Sequence, residues 1–579
     1  MPSAGGVAGI REVPDRPTAT ASWPLRPGVV IAAAAILALA LRLFQLSRPG
    51  YLSGFTQYDD GVYFGNALRL VHGAIAYRDF AMVQPPGSML LMAPIALAAK
   101  VFGAAWGLAA ARLATALADT ANVVLIGLLV RHRGTLAVGL ACGGYAVYPA
   151  ALIASQTLLL EPWLNLFCLL GAVLLFGSGQ RPVPRRLAWG GACFGFAAAV
   201  KIWAFAPALL AGLTACTGAR ARRDRAWFAG GFAAGLAVPC LPFLVLAPSG
   251  FGRTVFVSEL VQSTHGRFGP RLRLADITGL TGLASLIRGS VRLDAVVALS
   301  VVIGLLIAVA WVLSACVSPA GRDGADRRAH RGLWGLWGLR DGEWLTALDR
   351  YVLAGVVVVT AMMFVPSEWY EHYAAFDGPF LVLAVALPVA RLAAAGRSRA
   401  PGRSRAVGRS QAAGAARAAR VVAGTAAALV IAVLTLASVS VSLRQAPVRS
   451  YAAAGRIIPP GACVVTDTAS ATIAVNRFTA SSPGCPQLVD SVGTLIATTD
   501  GQDLTGSRSV LAADTSAWQE AFSRARYVWL IGNGGDTSQR IAWTWSLFWY
   551  FDRHFRLVKF ASGFGGKGDV PRGGLYVRR

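Results

Sequence analysis

Long apolar stretches separated by short polar segments dominate this chain. A helix needs about 20 apolar residues to cross the hydrocarbon core of a bilayer. By this criterion the sequence predicts a polytopic all-α membrane fold with eleven spans. The predicted spans are residues 29–46, 107–130, 134–153, 156–178, 187–203, 204–218, 227–248, 294–317, 351–366, 373–393 and 421–443.

The arginines between these spans indicate an orientation. Cytoplasmic loops of membrane proteins carry an excess of lysine and arginine, and with the N-terminal tail 1–28 inside, every strong arginine cluster falls on the cytoplasmic side. The last of these, 394–420, is expected to be a flexible loop near anionic lipid. The same alternation places three segments outside the cytoplasm: residues 47–106, 249–293 and 444–579.

Residues 62–106 contain a further apolar run at 88–103. If this run were a complete span, the orientation of every later loop would be inverted. We therefore expect helices that lie along or dip into the outer interface, with a break at Pro85-Pro86, because proline interrupts a helix.

Composition supports the membrane assignment and excludes two other classes. The chain is 55% hydrophobic and only 14% charged, whereas charged residues make up about a quarter of ordinary globular domains. The formal charge of +26 does not indicate nucleic-acid binding, because the basic residues fall mostly between apolar spans. The lipid bilayer is the expected partner.

The C-terminal segment 444–579 is polar and contains short β-like runs near residues 464, 510 and 529, with helical patterns between them. This alternation predicts a small α/β domain outside the cytoplasm. Cys463 and Cys485 are the two cysteines of this segment. In an oxidising compartment they are expected to form a disulfide.

Two adjacent acids follow the first span, in the sequence Tyr58-Asp59-Asp60-Gly61. Charged groups near hydrocarbon are costly and therefore suggest function. We expect Asp59 to act as a general base that takes a proton from a hydroxyl group, and Asp60 to orient it or to bind a sugar hydroxyl. The alternative is a surface Asp-Asp-Gly turn.

Two further charged residues lie near the predicted outer face. Glu161 precedes a proline and is expected at a helix start, where the helix dipole favours its charge; it is the second candidate acid, or only a capping residue. Lys201 lies between two short spans and is a candidate phosphate ligand. The alternative for Lys201 is snorkelling to the interface without a ligand.

Two outer segments supply further candidates. The loop 249–293 contains six arginines against the usual bias and therefore needs an anionic partner, which a donor phosphate or anionic lipid headgroups would supply. Arg267 and Arg271 are the candidates for binding the phosphate, unless they only reflect an arginine-rich composition. In the turn Tyr370-Glu371-His372-Tyr373, His372 is a phosphate candidate, and Tyr370 and Glu371 are substrate-binding candidates. An aromatic belt would also explain the rings.

Together, Tyr58-Asp59-Asp60, Gln84-Pro85-Pro86, Leu160-Glu161-Pro162, Lys201 and Tyr370-Glu371-His372-Tyr373 resemble the GT-C membrane glycosyltransferases. The similarity covers about residues 29–390 and is greatest to the group of protein O-mannosyltransferases, aminoarabinose lipid A transferases and rhizobial galacturonosyltransferases. This resemblance implies a polyprenyl-phosphate sugar donor, an inverting mechanism and an extracytoplasmic active site.

The chain departs from the pattern of this family at two positions. The family's Asp-Glu pair maps onto Asp59 and Asp60, so the second acid is shortened by one methylene group. The family's Lys-Pro-Pro element maps onto Gln84-Pro85-Pro86, so its phosphate-binding lysine is missing. Tyr58 and Gln84 are substrate-binding candidates, and Lys201 or the loop arginines are expected to hold the phosphate. No metal or cofactor follows from this pattern, and the metal requirement stays open.

The sequence therefore predicts a plasma-membrane glycosyltransferase with an acceptor in the cell envelope. A lipid-linked-sugar flippase or solute transporter is the main alternative, although no two halves of matching pattern are visible, as many transporters have. A non-catalytic envelope scaffold is a third. Neither the sugar nor the acceptor follows from the sequence.

Overall fold

The computed structural model describes residues 26–257, 269–280, 293–316, 345–366, 369–395, 425, 429, 431–448, 450–479, 484–498, 508–532, 540–560 and 571–579. Arg267, most of the N-terminal tail and residues 396–420 of the predicted cytoplasmic loop lie outside these ranges.

Helices dominate the part of the chain that precedes residue 450. They are α1 Pro27–Leu46, α2 Tyr58–Val71, α3 Gly87–Phe102, α4 Ala104–Val130, α5 Thr135–Ala146, α6 Pro149–Ser155, α7 Glu161–Phe176, α8 Pro184–Val200, α9 Phe205–Ala215, α10 Ala221–Leu246, α11 Pro248–Gly252, α12 Pro270–Ile277, α13 Leu293–Cys316, α14 Ala347–Met362, α15 Gly378–Ala395 and α16 Ile431–Arg444.

Each of the eleven predicted spans overlaps helical structure, so the predicted helical fold is confirmed where the chain is described. Among the described residues, four helices are long and apolar enough to cross a membrane alone, namely α1, α4, α10 and α13. The pair α5 and α6 would form a fifth span with a bend of 52°. The remaining predicted spans are shorter helices, and the count of eleven crossings stays a prediction.

The segment before α4 forms two separate helices, as predicted. Helix α2 ends at Val71, and α3 begins directly after Pro86. Proline fits the start of a helix because it has no amide hydrogen to leave unpaired. The break predicted at Pro85-Pro86 is therefore present.

Helices α8 and α10 pack closely through glycines. Each helix carries two glycines four residues apart, which is the small-xxx-small pattern that lets membrane helices approach each other. A Cβ atom at any of these glycines would overlap a carbonyl oxygen of the other helix. The pairs are Gly191 with Phe228, Gly195 with Phe232, Gly231 with Ala188 and Gly235 with Ala192.

The C-terminal segment contains helices and a four-stranded sheet of order β1-β2-β4-β3, in which β1 and β2 are parallel and the other pairs are antiparallel. Cys463 and Cys485 are joined by a disulfide with their Cα atoms 5.4 Å apart. The elements are α17 Ala452–Ile457, β1 Val464–Thr466, α18 Ala469–Ala474, α19 Ser491–Thr498, α20 Arg508–Arg524, β2 Tyr527–Leu530, α21 Trp545–His554, β3 Phe555–Phe560 and β4 Gly574–Arg578.

This C-terminal segment packs directly on the helix that carries the two adjacent acids. The Ser470 hydroxyl at α18 donates to the Gln57 carbonyl at 2.7 Å. Gly61 lies so close to the Ser470 backbone that a Cβ atom would overlap it. The Asn476 side chain also accepts a hydrogen bond from Ala105 at the start of α4. The sequence suggested a separate domain, but not this contact.

The close packing of α8 and α10 can be tested by comparing alanine substitutions at the adjacent residues Gly230 and Gly231. Gly231→Ala should lower the free energy of unfolding by about 1–3 kcal/mol, because the new methyl group forces the helices apart. The neighbouring Gly230 has open space around its Cα atom. Gly230→Ala should leave stability unchanged or raise it by about 0.5–1 kcal/mol.

The measurement is the thermal unfolding midpoint of both purified variants in detergent. Equal midpoints for Gly230→Ala and Gly231→Ala would show that this contact does not limit the approach of the two helices.

Candidate active site

The two adjacent acids lie in the first turn of helix α2, rather than in a surface turn. The positive end of the helix dipole favours negative charge at this place. Consecutive residues of a helix point in different directions, since a full turn takes about 3.6 residues. Asp60 is fully buried, whereas Asp59 is partly exposed.

Asp60 is bound within the protein interior. Its Oδ2 atom accepts hydrogen bonds from Arg112 Nη2 at 2.5 Å and from the hydroxyls of Thr56 and Thr157 at 2.7 Å each. The side chains of Asp60 and Arg112 are both 0% exposed. Arg112 extends from α4, so this ion pair fixes the start of α2 against α4. We assign Asp60 to positioning.

Asp59 has a different environment. Within the described residues, no hydrogen bond or ion pair holds its carboxylate. Burial and the negative charges of Asp490 and Glu161 together raise the pKa of Asp59 to about 7, against the opposing effect of the positive charges of Arg540 and Lys201. A carboxylate with a pKa near neutrality and no fixed partner is suited to proton transfer.

Glu161 and Lys201 form a second buried pair. Glu161 is the first residue of α7, as predicted, and Lys201 follows α8. The Lys201 Nζ atom lies 2.9 Å from Glu161 Oε1, and both side chains are almost completely buried. The same Nζ atom lies 3.4 Å from the centre of the Trp203 ring and 4.1 Å from that of Tyr373.

Lys201 therefore does not extend to the interface without a partner. An ammonium group between aromatic faces gains cation–π stabilisation. Glu161 Oε2 is buried and has no hydrogen-bond partner among the described residues.

The turn Glu371–Phe376 brings His372 close to this pair. Its imidazole is 3% exposed, and burial lowers the pKa of His372 to about 4 against the opposing effect of Glu161. The ring is therefore neutral at physiological pH and adds no positive charge to the site. Tyr370 stacks on it at 5.7 Å, and Glu371 is exposed.

Residues 83–87 lie between the Glu161–Lys201 pair and the C-terminal segment. Gly87 packs on the backbone of Ala199, close to Lys201, and Val83 packs beside Gly493, close to Asp490. The Gln84 carbonyl accepts a hydrogen bond from the Tyr77 hydroxyl at 2.7 Å.

The C-terminal segment adds groups that sequence reasoning missed. The Tyr58 hydroxyl lies 2.9 Å from Asp490 Oδ1 and accepts a hydrogen bond from the Ser491 amide at 2.7 Å. The Arg540 guanidinium lies over the Tyr58 ring, with its central carbon 3.7 Å from the ring centre. Asp490 and Arg540 lie more than 400 positions from Asp59, and no local sequence pattern marks them.

One predicted phosphate ligand lies in a different environment. Arg271 pairs with Asp294 at 2.6 Å, and both side chains are more than 60% exposed. No contact in the described structure joins Arg271 to Asp59 or Glu161. The described residues contain no group of three or more His, Cys, Asp or Glu side chains arranged to hold a metal ion.

Comparisons with known proteins gave no matching family model and no matching curated protein. Among solved structures, the chain is similar to ArnT from Cupriavidus metallidurans bound to undecaprenyl phosphate, with 15% identity, a TM-score of 0.48, and coverage of 77% of this chain and 84% of that one. It is also similar to the arabinofuranosyltransferase AftD from Mycobacteria, with 14% identity, a TM-score of 0.44, and coverage of 94% and 39%.

A third similar structure is the oligosaccharyltransferase AglB from Archaeoglobus fulgidus in complex with an inhibitory peptide and a dolichol-phosphate. It has 14% identity and a TM-score of 0.43, and the match covers 87% of this chain and 69% of that one. With all three TM-scores below 0.5, these likenesses do not assign the chain to a family.

The raised pKa of Asp59 predicts a specific chemical reactivity. Carbodiimides modify the protonated form of a carboxyl group, so labelling of Asp59 should be strong below pH 7 and should fall as the pH rises through about 7. In Asp490→Asn the midpoint should move to lower pH, because a negative charge that raises the pKa of Asp59 is removed, while the asparagine can still accept from Tyr58.

Peptide mass spectrometry of protein labelled across a pH series measures this. Asp79 is the internal control, because its hydrogen bonds with Arg78 lower its pKa. A labelling profile of Asp59 that follows the profile of Asp79 would contradict the assigned environment.

The two ion pairs Asp60–Arg112 and Glu520–Arg524 should differ in their importance for stability. Asp60→Asn leaves the Arg112 charge buried without its partner, which costs about 3–5 kcal/mol. Glu520→Gln removes one partner of an exposed pair, which costs about 0–1 kcal/mol. Unfolding midpoints of the two variants test this, and a small effect of Asp60→Asn would show that the pair does not anchor α2.

Proposed function

We propose that this protein is an inverting membrane glycosyltransferase of the GT-C type. It transfers a sugar from a polyprenyl-phosphate carrier to an extracytoplasmic acceptor in the cell envelope, with Asp59 as the general base. The observation that carries the proposal is the difference between the acids of the site. Asp60 and Glu161 are held in buried ion pairs, whereas Asp59 is partly exposed without such a partner in the described structure.

The reaction needs such a carboxylate. Asp59 takes the proton from an acceptor hydroxyl as the oxygen attacks the anomeric carbon of the donor sugar. The bond from that carbon to the phosphate oxygen breaks with its electron pair, and the polyprenyl phosphate departs. A base with a pKa near the working pH is effective in this role, because its ionised form is present and still accepts a proton readily.

The other acids support this step. The pair Asp60–Arg112 holds the first turn of α2, and thus Asp59, against α4. Glu161 Oε2 is available to accept a hydrogen bond from a sugar hydroxyl. Interactions that position the reacting groups contribute strongly to catalysis, because they replace a bimolecular encounter by a fixed geometry.

Contacts of the C-terminal segment support an extracytoplasmic site. Tyr58 is next to Asp59 and bonds to Asp490, so Asp59 and the C-terminal segment lie on the same side of the membrane. That segment carries the disulfide Cys463–Cys485. Disulfides persist in oxidising compartments outside the cytoplasm.

A transporter of lipid-linked sugars is the second candidate. The bend of 52° between α5 and α6 favours it, because discontinuous helices are common in transporters. Transport into vesicles without formation of a glycosidic product would support this candidate over the transferase.

The direct test incubates purified protein with a panel of polyprenyl-phosphate sugars that includes mannose, arabinose and galacturonate, and follows release of polyprenyl phosphate. Asp59→Asn should lower transfer by about 100-fold or more, which is the usual contribution of a general base. Its unfolding midpoint should equal that of the wild type.

Asp79→Asn is the matched control. Asp79 lies in the same outer segment, pairs with its exposed neighbour Arg78 and should not affect transfer. A wild-type rate in Asp59→Asn would exclude Asp59 as the base, and the absence of sugar loss from every donor would oppose the transferase itself.

A further inference from the structure

Arg540 belongs to the C-terminal segment and contacts the start of helix α2, which carries Asp59. Its guanidinium lies 3.7 Å from the centre of the Tyr58 ring. Tyr58 is directly followed by Asp59, so the positive charge lies near the proposed base. The Tyr58 hydroxyl is itself fixed by Asp490 and by the Ser491 amide. Arg540 thus lies on the face of the Tyr58 ring, while other residues of the C-terminal segment hold the hydroxyl group of the same tyrosine.

The other two cations near Asp59 are almost completely buried. Arg112 binds Asp60, and both side chains are fully buried. Lys201 binds Glu161, is almost completely buried and lies against two aromatic rings. Arg540 is only partly buried. It is therefore the most accessible of these three cations.

The charges around the site make such a cation necessary for an anionic donor. The negative charges of Asp490 and Glu161 act on Asp59, and these carboxylates together would repel a phosphate group. The guanidinium of arginine can rest one face on an aromatic ring while its N–H groups bind two phosphate oxygens. Lysine offers only a point charge.

We infer that Arg540 binds the phosphate of the polyprenyl-phosphate donor, and that the face of Tyr58 holds it beside Asp59. This inference rests on the proposed function and deepens it. The donor site is then shared between the membrane helices and the C-terminal segment.

In this arrangement Arg540 also acts during the reaction. As the bond between the anomeric carbon and the phosphate oxygen breaks, the electron pair stays on the phosphate oxygen. The guanidinium remains protonated and stabilises this developing charge. Tyr58 is a positioning residue, since it acts through Arg540 and Asp59.

The experiment measures binding without any acceptor or sugar. Undecaprenyl phosphate and undecaprenol are titrated separately into purified full-length protein in detergent, and the shift of the unfolding midpoint gives the two affinities. The wild type should bind the phosphate form preferentially. In Arg540→Met this preference should fall by about tenfold or more, as expected for loss of a charge-assisted hydrogen-bonded contact.

Three further variants sharpen the result. Arg540→Lys should retain part of the preference, and Arg540→Gln, which keeps hydrogen-bond donors but not the charge, should lose most of it. Arg524→Met is the matched control, because Arg524 lies on the same C-terminal segment in an exposed pair with Glu520. Arg524→Met should bind like the wild type.

The outcomes separate the two proposals. A wild-type protein that binds both lipids equally would overturn the proposed function. A wild type that prefers the phosphate, together with folded Arg540→Met and Arg540→Gln variants that keep the full preference, would overturn the role of Arg540 alone. Loss of the preference in Arg271→Met, with Arg540→Met unaffected, would place the phosphate in the outer loop instead.

Discussion

The buried ion pair between Asp60 and Arg112 is the interaction on which the geometry of the site depends. It joins the first turn of α2 to the middle of α4, with both charges removed from solvent. A buried ion pair contributes little net stability compared with apolar packing, since desolvation offsets the attraction. It does fix one arrangement of the two helices, because any other arrangement leaves a buried charge without a partner. Asp59, one residue earlier, takes its position from this anchor.

The C-terminal segment also fixes the start of helix α2. Gly61 allows the backbone of Ser470 to approach α2, and Tyr58 is held by Asp490 and Ser491 on the other side. The start of α2 is thus fixed by α4 from within the helical region and by the C-terminal segment from outside it. An active site between two such layers excludes water more completely than a site on a loop, and weaker solvation strengthens each electrostatic interaction within it.

Local patterns were enough to predict the apolar helices before residue 450, the break at Pro85-Pro86 and the start of a helix at Glu161. The β-like run near residue 510 was wrong, because this part of the chain lies in helix α20. Hydrophobic length and proline position act over a few residues, so the sequence displays them directly. The ion pair Asp60–Arg112 and the bond from Tyr58 to Asp490 join residues 52 and 432 positions apart. Such contacts depend on how the helices pack, and one sequence does not contain that information. For this reason the sequence grouped Asp59 and Asp60 together, although their environments differ.

The acids of this site differ in their surroundings, and the proposed role of Asp59 depends on this difference. Asp60 and Glu161 each form a buried ion pair with a cation of their own. Asp59 is desolvated and lies near other negative charges, which makes proton uptake easier. His372 is neutral and adds no charge to the balance. Different surroundings can thus give the carboxyl groups of one site different roles. The surroundings of Asp59 therefore suit its proposed role as general base, since within the described residues no hydrogen bond or ion pair holds its carboxylate.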